Sequence, residues 1–158
     1  MGVIVVTGAF GNVGKSVVDA LLVRGARVRV AGRNLAAVRE TFGDRVESAH
    51  LDLTDPATFG PAVCDAEKVF LIRPPAIARV RKTINPFIDV AARSGVTHVV
   101  FPSVAGADTN KVVPHHRIET HLRASTMAWT MLRPGFFAQN IGGAYRSDIV
   151  DDNRIYVP

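Results

Sequence analysis

What this chain has little of narrows its class before any motif is read. It carries a single cysteine, Cys64, so no intramolecular disulfide can form and a reducing, cytoplasmic setting is expected. Tryptophan occurs once and tyrosine twice, and no aromatic ladder accompanies the basic residues. No apolar run approaches the roughly 18 residues of a membrane span, so no membrane partner is expected. Residues 3–6 are too short for the apolar core of a signal peptide and run straight into a glycine-rich turn. Met1-Gly2 invites a myristoylation reading, but Val6 stands where that motif needs Ser or Thr. Internal repeats and low-complexity segments are lacking too.

What is present describes an ordinary globular protein. The 158 residues, 47% hydrophobic and 21% charged, suit one domain over 1–158 with a proper core. The net charge of +5 raises nucleic acid as a partner. The basic residues are scattered, however, with only a loose group at Arg73, Arg79, Arg81 and Lys82. An anionic cofactor accounts for the charge, and no nucleic acid partner is expected.

Strand and helix patterns alternate six times. The strands are expected at residues 3–7, 27–31, 46–51, 68–72, 97–102 and 128–132. Between them, helical patterns cover the stretch after the glycine turn, then 35–42, then 55–63 with Asp55 as cap before Pro56, then a long run from Val80, then 115–124. Pro86 either kinks that long helix or marks a restart capped by Asn85. Connections too long for hairpins imply an α/β fold with a doubly wound parallel sheet, a Rossmann fold, in the order 3-2-1-4-5-6.

The turn after the first strand organises the rest. It reads Thr7-Gly-Ala-Phe-Gly-Asn-Val-Gly14, with glycines at 8, 11 and 14, between a short apolar strand and an amphipathic helix. Such a turn lets backbone amides approach a phosphate that a side chain would block. The same residues nearly satisfy a P-loop, since Gly14-Lys15-Ser16 has the right ending and Ala9 stands at its first position. A triphosphatase also needs an acid at the end of an apolar strand to hold magnesium, and the candidate, Asp52, follows a strand that is polar in the middle.

The second discriminating position follows strand two. An NAD site places an acid there for the ribose hydroxyls. This chain has Arg33, nineteen residues past Gly14, and no acid follows it until Glu40. A guanidinium suits a 2′-phosphate, so NADP(H) is expected over NAD(H).

Four segments together resemble the NmrA-like family of atypical short-chain dehydrogenases/reductases. They are residues 7–14, Asp52-Leu-Thr-Asp55, Gly95-Val-Thr-His-Val-Val100 and Leu132-Arg-Pro-Gly-Phe-Phe-Ala-Gln-Asn140. Relatives in that group include type 2 quinone oxidoreductases, azoreductase-like proteins and isoflavone-reductase-like enzymes. The resemblance implies that Gly8, Phe10, Gly11, Asn12 and Val13 line the pyrophosphate, with Arg33 at the 2′-phosphate and Thr7 also among the cofactor-binding residues. It sets Asp52 and Leu53 beside the adenine, although Asp52 could simply begin the turn to Pro56. Ile72, Arg73 and Pro74 would border the ribose and nicotinamide, Ser103 would lie near the nicotinamide, and Pro134, Gly135 and Phe136 would form the loop beside its carboxamide.

Catalysis departs from the pattern. The broader superfamily uses Tyr-x-x-x-Lys, a phenol acid helped by an ammonium. Here the stretch is Lys111-Val-Val-Pro-His115, so Lys111 replaces the tyrosine and His115 the lysine. His115 and Glu119, one turn apart on a helix, match a His-x-x-x-Glu of some relatives and are the candidate catalytic pair. A helix-start histidine with a surface partner is the plain alternative. His116 and His121 read as solvated, and the spacing lacks the cysteines or acids of a zinc site, so no metal is expected.

The resemblance thus implies an NAD(P)H-dependent oxidoreductase acting on a small-molecule substrate such as a quinone, with a non-catalytic NADP(H)-sensing regulator as the alternative. Members of the family usually continue well past the position of Pro158 with a C-terminal substrate-binding part, so these 158 residues are expected to be an incomplete unit. Either that segment or a second chain is expected to complete the site.

Overall fold

The computed structural model describes residues 2–135, 137–143 and 145–154. Along the chain run β1 (Val3–Thr7), α1 (Asn12–Val23), β2 (Val28–Gly32), α2 (Leu35–Phe42), β3 (Glu47–His50), α3 (Phe59–Val63), β4 (Ala66–Phe70), α4 (Ile84–Arg93), β5 (His98–Pro102), α5 (Pro114–Ala124), β6 (Ala128–Leu132), α6 (Gln139–Gly142) and α7 (Arg146–Val150). The strands form one sheet in the order β3-β2-β1-β4-β5-β6, every neighbouring pair parallel. This is the doubly wound order the alternation predicts.

Alternation within the strands divides the apolar residues between two layers. Val6, Val30 and Phe70 meet Val18 of α1 and Val38 and Phe42 of α2 on one face. Val3, Val5, Val69, Val99 and Phe101 meet Phe59 of α3, Ile84, Phe87 and Ile88 of α4, and Ile118 and Leu122 of α5 on the other. Phe59 and Phe87 lock α3 to α4 edge to face, with ring centroids 5.5 Å apart. Burying one such side chain is worth about 1.5–3 kcal/mol, so this layer holds the α3–α5 side firmly.

Several boundaries differ from the sequence expectation. The fourth strand pairs over Ala66–Phe70, two residues earlier than its apolar run suggests, because Glu67 and Lys68 lie at the open end of the sheet and need no apolar cover. Leu71 still donates to the carbonyl of Val100, and Ile72 turns off into the site. The run from Val80 breaks at Thr83 and restarts as α4. Pro86 then falls in the first turn, where its missing N–H costs nothing. The cap position of that helix is Thr83, not Asn85. The two short helices α6 and α7 lie in a polar stretch with no periodic apolar stripe to announce them.

Since all strands run the same way, the loops after β1, β2, β4, β5 and β6 converge on one edge. The order reverses between β1 and β4, which opens a crevice there. The far edge strand, β6, is exposed along most of its length, Trp129 being covered in part by the guanidinium of Arg123 at 5.6 Å. Among the described residues, no helix is long and apolar enough to cross a membrane.

Candidate functional site

Each glycine of the turn has its own reason to be glycine. Gly8 adopts φ +64°, a left-handed conformation that a side chain resists, and lies against Ile72. Gly14, inside α1, packs onto the turn itself, and a Cβ there would lie 2.1 Å from the Gly8 carbonyl oxygen. Gly11 has an ordinary φ of −79°, and a Cβ on it would meet nothing closer than that same oxygen at 3.6 Å. Among the described residues, packing therefore demands glycine at Gly8 and Gly14, whereas at Gly11, the cap position of α1, it leaves open space. The amide of Gly11 closes the turn on the Gly8 carbonyl at 3.1 Å, and α1 starts immediately, its N-terminus aimed at the crevice.

Two clefts meet at this turn. The first, of about 710 Å³, runs from Gly8 and Phe10 past Arg33 and Asn34 to Asp52, Leu53 and Thr54, with Ile77 opposite. Arg33 is exposed at its wall and makes no ion pair among the described residues. Asp52 starts the turn to Pro56 and stands at the wall of this cleft. Its Oδ1 accepts from the Thr54 amide at 2.8 Å and hydroxyl at 2.7 Å. Those bonds from Thr54, with a smaller contribution from Arg33, hold its carboxyl below the usual carboxylate range.

The second cleft, of about 620 Å³, extends from Gly8 along Asn12 and Val13 to Arg73, Ser103, His115 and Pro134. No acid lines it. Arg73 is held by its own loop, its Nη1 donating to the carbonyls of Pro74, Pro75 and Ile77, while its Nε donates to His115 Nε2 at 3.3 Å. His115 is therefore an acceptor at Nε2, with its ring 5.9 Å from that of Phe101. Burial first, and then the neighbouring guanidinium of Arg73, lower its pKa, so the imidazole is neutral near pH 7.

The expected His115–Glu119 pair does not form a hydrogen-bonded unit. Glu119 is fully buried, and its carboxylate is taken by Arg133 at 2.8 and 2.7 Å and by Arg123 at 3.1 Å. These bonds, the Arg133 one first, hold it charged and well below the usual carboxylate range. Only its through-space charge reaches His115, opposing the larger effects of burial and Arg73. Lys111, at the position of the missing tyrosine, is exposed and lines neither cleft. Lys15 is likewise exposed and outside both, and Ser16 turns its hydroxyl back to the Asn12 carbonyl, so the P-loop ending is not assembled as one.

Of the residues expected at a cofactor, Thr7, Phe10, Arg33, Asp52, Leu53 and Pro74 border the first cleft. Gly11, Asn12, Val13, Arg73, Ser103 and Pro134 border the second, and Gly8 and Ile72 border both. Gly135 borders neither, and Phe136 lies outside the described residues. Unforeseen lining residues include Asn34, Thr54, Ile77, Phe137 and Gln139. Asn34 has a readable signal, since it caps α2 by accepting from the Ala37 amide, directly after the strand whose end forms the wall. Phe137 and Gln139 fall inside the segment 132–140 but carry no distinguishing pattern.

The family described as NAD(P)H-binding matches residues 8–155. Over 98% of its length the chain is 31% identical to an NAD(P)H azoreductase of Xenophilus azovorans, of which it covers 55%. It is also 31% identical, over 98% of its length, to the prestalk A differentiation protein A of Dictyostelium discoideum, of which it covers 52%. The fold superposes on an Escherichia coli NADPH-dependent quinone oxidoreductase complexed with NADPH with a TM-score of 0.80 at 24% identity, covering 92% of this chain and 53% of that one. The chain thus spans about half the length of the curated relatives it matches.

Proposed function

The chain belongs to the NAD(P)H-binding family, in its atypical short-chain, NmrA-like branch, and from that premise we propose that it is an NADP(H)-dependent oxidoreductase acting on quinones or similar small acceptors. One observation carries the reading. Two clefts join at a glycine turn that is open on its outer side at Gly11, and the guanidinium of Arg33, without an ion pair among the described residues, stands at the far wall of the first.

The residues suit the cofactor's parts. Gly8, Gly11 and the start of α1 suit a pyrophosphate, Arg33 a 2′-phosphate, and the cleft of Arg73, Ser103, His115 and Pro134 a nicotinamide with an acceptor beside it. When bound, the cofactor supplies a hydride. The chain's part is to hold the ring and keep the acceptor close. Neutral His115 carries its proton on Nδ1, away from the Arg73 side, and Lys111 stands where the superfamily's tyrosine acid would be. That favours acceptors whose reduced form is a stable anion protonated by water, as with quinones, over ketones. Azo and quinone acceptors are those named for two of the similar proteins.

A second reading is a non-catalytic NADP(H)-responsive regulator, favoured by the same loss of acid–base groups. NADPH consumption with a panel of quinones separates the two. Saturable turnover supports the oxidoreductase. Binding of NADPH without turnover on any acceptor supports the regulator, and tighter binding of Mg-ATP than of NADPH refutes both.

A further inference from the structure

Among the described residues, Glu119 is the one charged side chain that is buried, and the hydride chemistry makes no direct use of it. Its partner Arg133 is the first residue after β6 and immediately precedes Pro134, which forms part of the second cleft. The contact is a two-point fork, Nε to Oε1 and Nη2 to Oε2, so it fixes direction as well as distance. Arg123, one helical turn further along α5, braces the same carboxylate, and Arg133 Nη1 reaches Asp108 at 3.4 Å.

The backbone around this fork is stitched to the end of β5. Ser103 donates its amide to the Leu132 carbonyl at 2.7 Å, and Ala105 donates to the Pro134 carbonyl at 3.1 Å. The Ser103 hydroxyl is buried without a hydrogen-bond partner of good geometry among the described residues, yet it faces Glu119 closely enough to help keep the carboxylate charged. The fork therefore ties α5 to the root of the cleft wall from behind, and Pro134 and Ser103 face the cleft from its front. A buried ion pair adds little net stability, because desolvation offsets attraction, but it holds one geometry strongly.

We infer that Glu119 is a positioning residue: through Arg133 it fixes Pro134 and Ser103 at the nicotinamide side of the cleft and so sets the pose of the ring from which hydride leaves. This rests on the oxidoreductase reading, and it assigns Glu119 to Arg133 in place of His115.

The test compares the wild-type chain with Glu119→Gln, which keeps the shape and removes the charge. Two ligands are titrated, NADPH and 2′,5′-ADP, the second lacking the nicotinamide end. Wild type should enhance the fluorescence of bound NADPH. Glu119→Gln should lose most of that enhancement and at least tenfold in kcat with a quinone, while its affinity for 2′,5′-ADP stays within twofold. Arg133→Lys, which keeps the charge and loses the fork, should behave alike, and it carries the test if Glu119→Gln does not fold. Combining the two should give little beyond either alone, whereas His115→Ala combined with Glu119→Gln should multiply their losses. A folded Glu119→Gln with a lower melting temperature but wild-type NADPH fluorescence and kcat overturns the inference and leaves the cofactor reading standing. A wild-type chain that binds neither ligand overturns both.

Discussion

Gly11 and Gly14 stand in one turn and should respond oppositely to the same added methyl group. At Gly14 the new Cβ would lie 2.1 Å from the Gly8 oxygen, 2.7 Å from its carbon and 2.9 Å from the Ala9 Cα. All three are backbone atoms, so relief requires α1 to move away from β1 by more than an ångström. Overpacking of this kind costs about 1–3 kcal/mol and occasionally more, against up to about 1 kcal/mol regained because alanine favours a helix interior. The net loss of about 1–2 kcal/mol corresponds to a fall in melting temperature of about 3–8 °C for a domain of this size. At Gly11 the methyl meets only ordinary contact distances, and the backbone angles suit alanine. The poorer cap and the stiffer unfolded chain roughly cancel there, so the melting temperature should stay within about 2 °C. NADPH affinity should nevertheless fall at least tenfold in Gly11→Ala, because the methyl occupies the approach to the turn. Thermal unfolding and calorimetric titration of both variants read this directly. Equal destabilisation by the two, or wild-type NADPH affinity in Gly11→Ala, would refute the division of roles.

Two further outcomes follow from the charges. Arg33→Ala should weaken NADPH by about 1.5–3 kcal/mol, roughly tenfold or more, and leave NADH nearly unchanged, since only the former has a 2′-phosphate; equal losses in parallel titrations would contradict the assignment. Stability should fall with acid in two stages. His115 is held neutral in the fold, so the unfolded chain takes up its proton first, and stability declines as pH drops below about 6.5. Glu119, whose pKa is lowered by Arg133, adds a second decline below about 4.5. Denaturant midpoints measured from pH 8 to 4 check this, and His115→Phe should remove the upper stage.

The layout of the sheet was readable because each α/β unit advertises itself locally. The bounds of α2 and β6 agree with the pattern to the residue, since Asn34 caps one and Ala128–Leu132 pairs along its whole length with β5. The first cleft was also legible, because glycines and Arg33 follow strand ends at fixed offsets. The fourth strand slipped by two residues because hydropathy marks where a chain is covered, whereas the ladder marks where it is paired. Glu119 was misassigned for a related reason. Helical spacing put it beside His115, and nothing local signals the partner fourteen residues on, past α5, that forks its carboxylate.

Gly8 and Ile72 border both clefts, and that shared border makes any ligand long enough to fill the two a bivalent one. Once one end is seated, the other searches a volume set by a short tether, at an effective concentration on the order of millimolar. Fragments of a dinucleotide should then bind weakly even when mixed, since a mixture supplies both ends and no tether. Affinity for the whole molecule is a property of the span across Gly8, and a substitution there is felt at both ends at once.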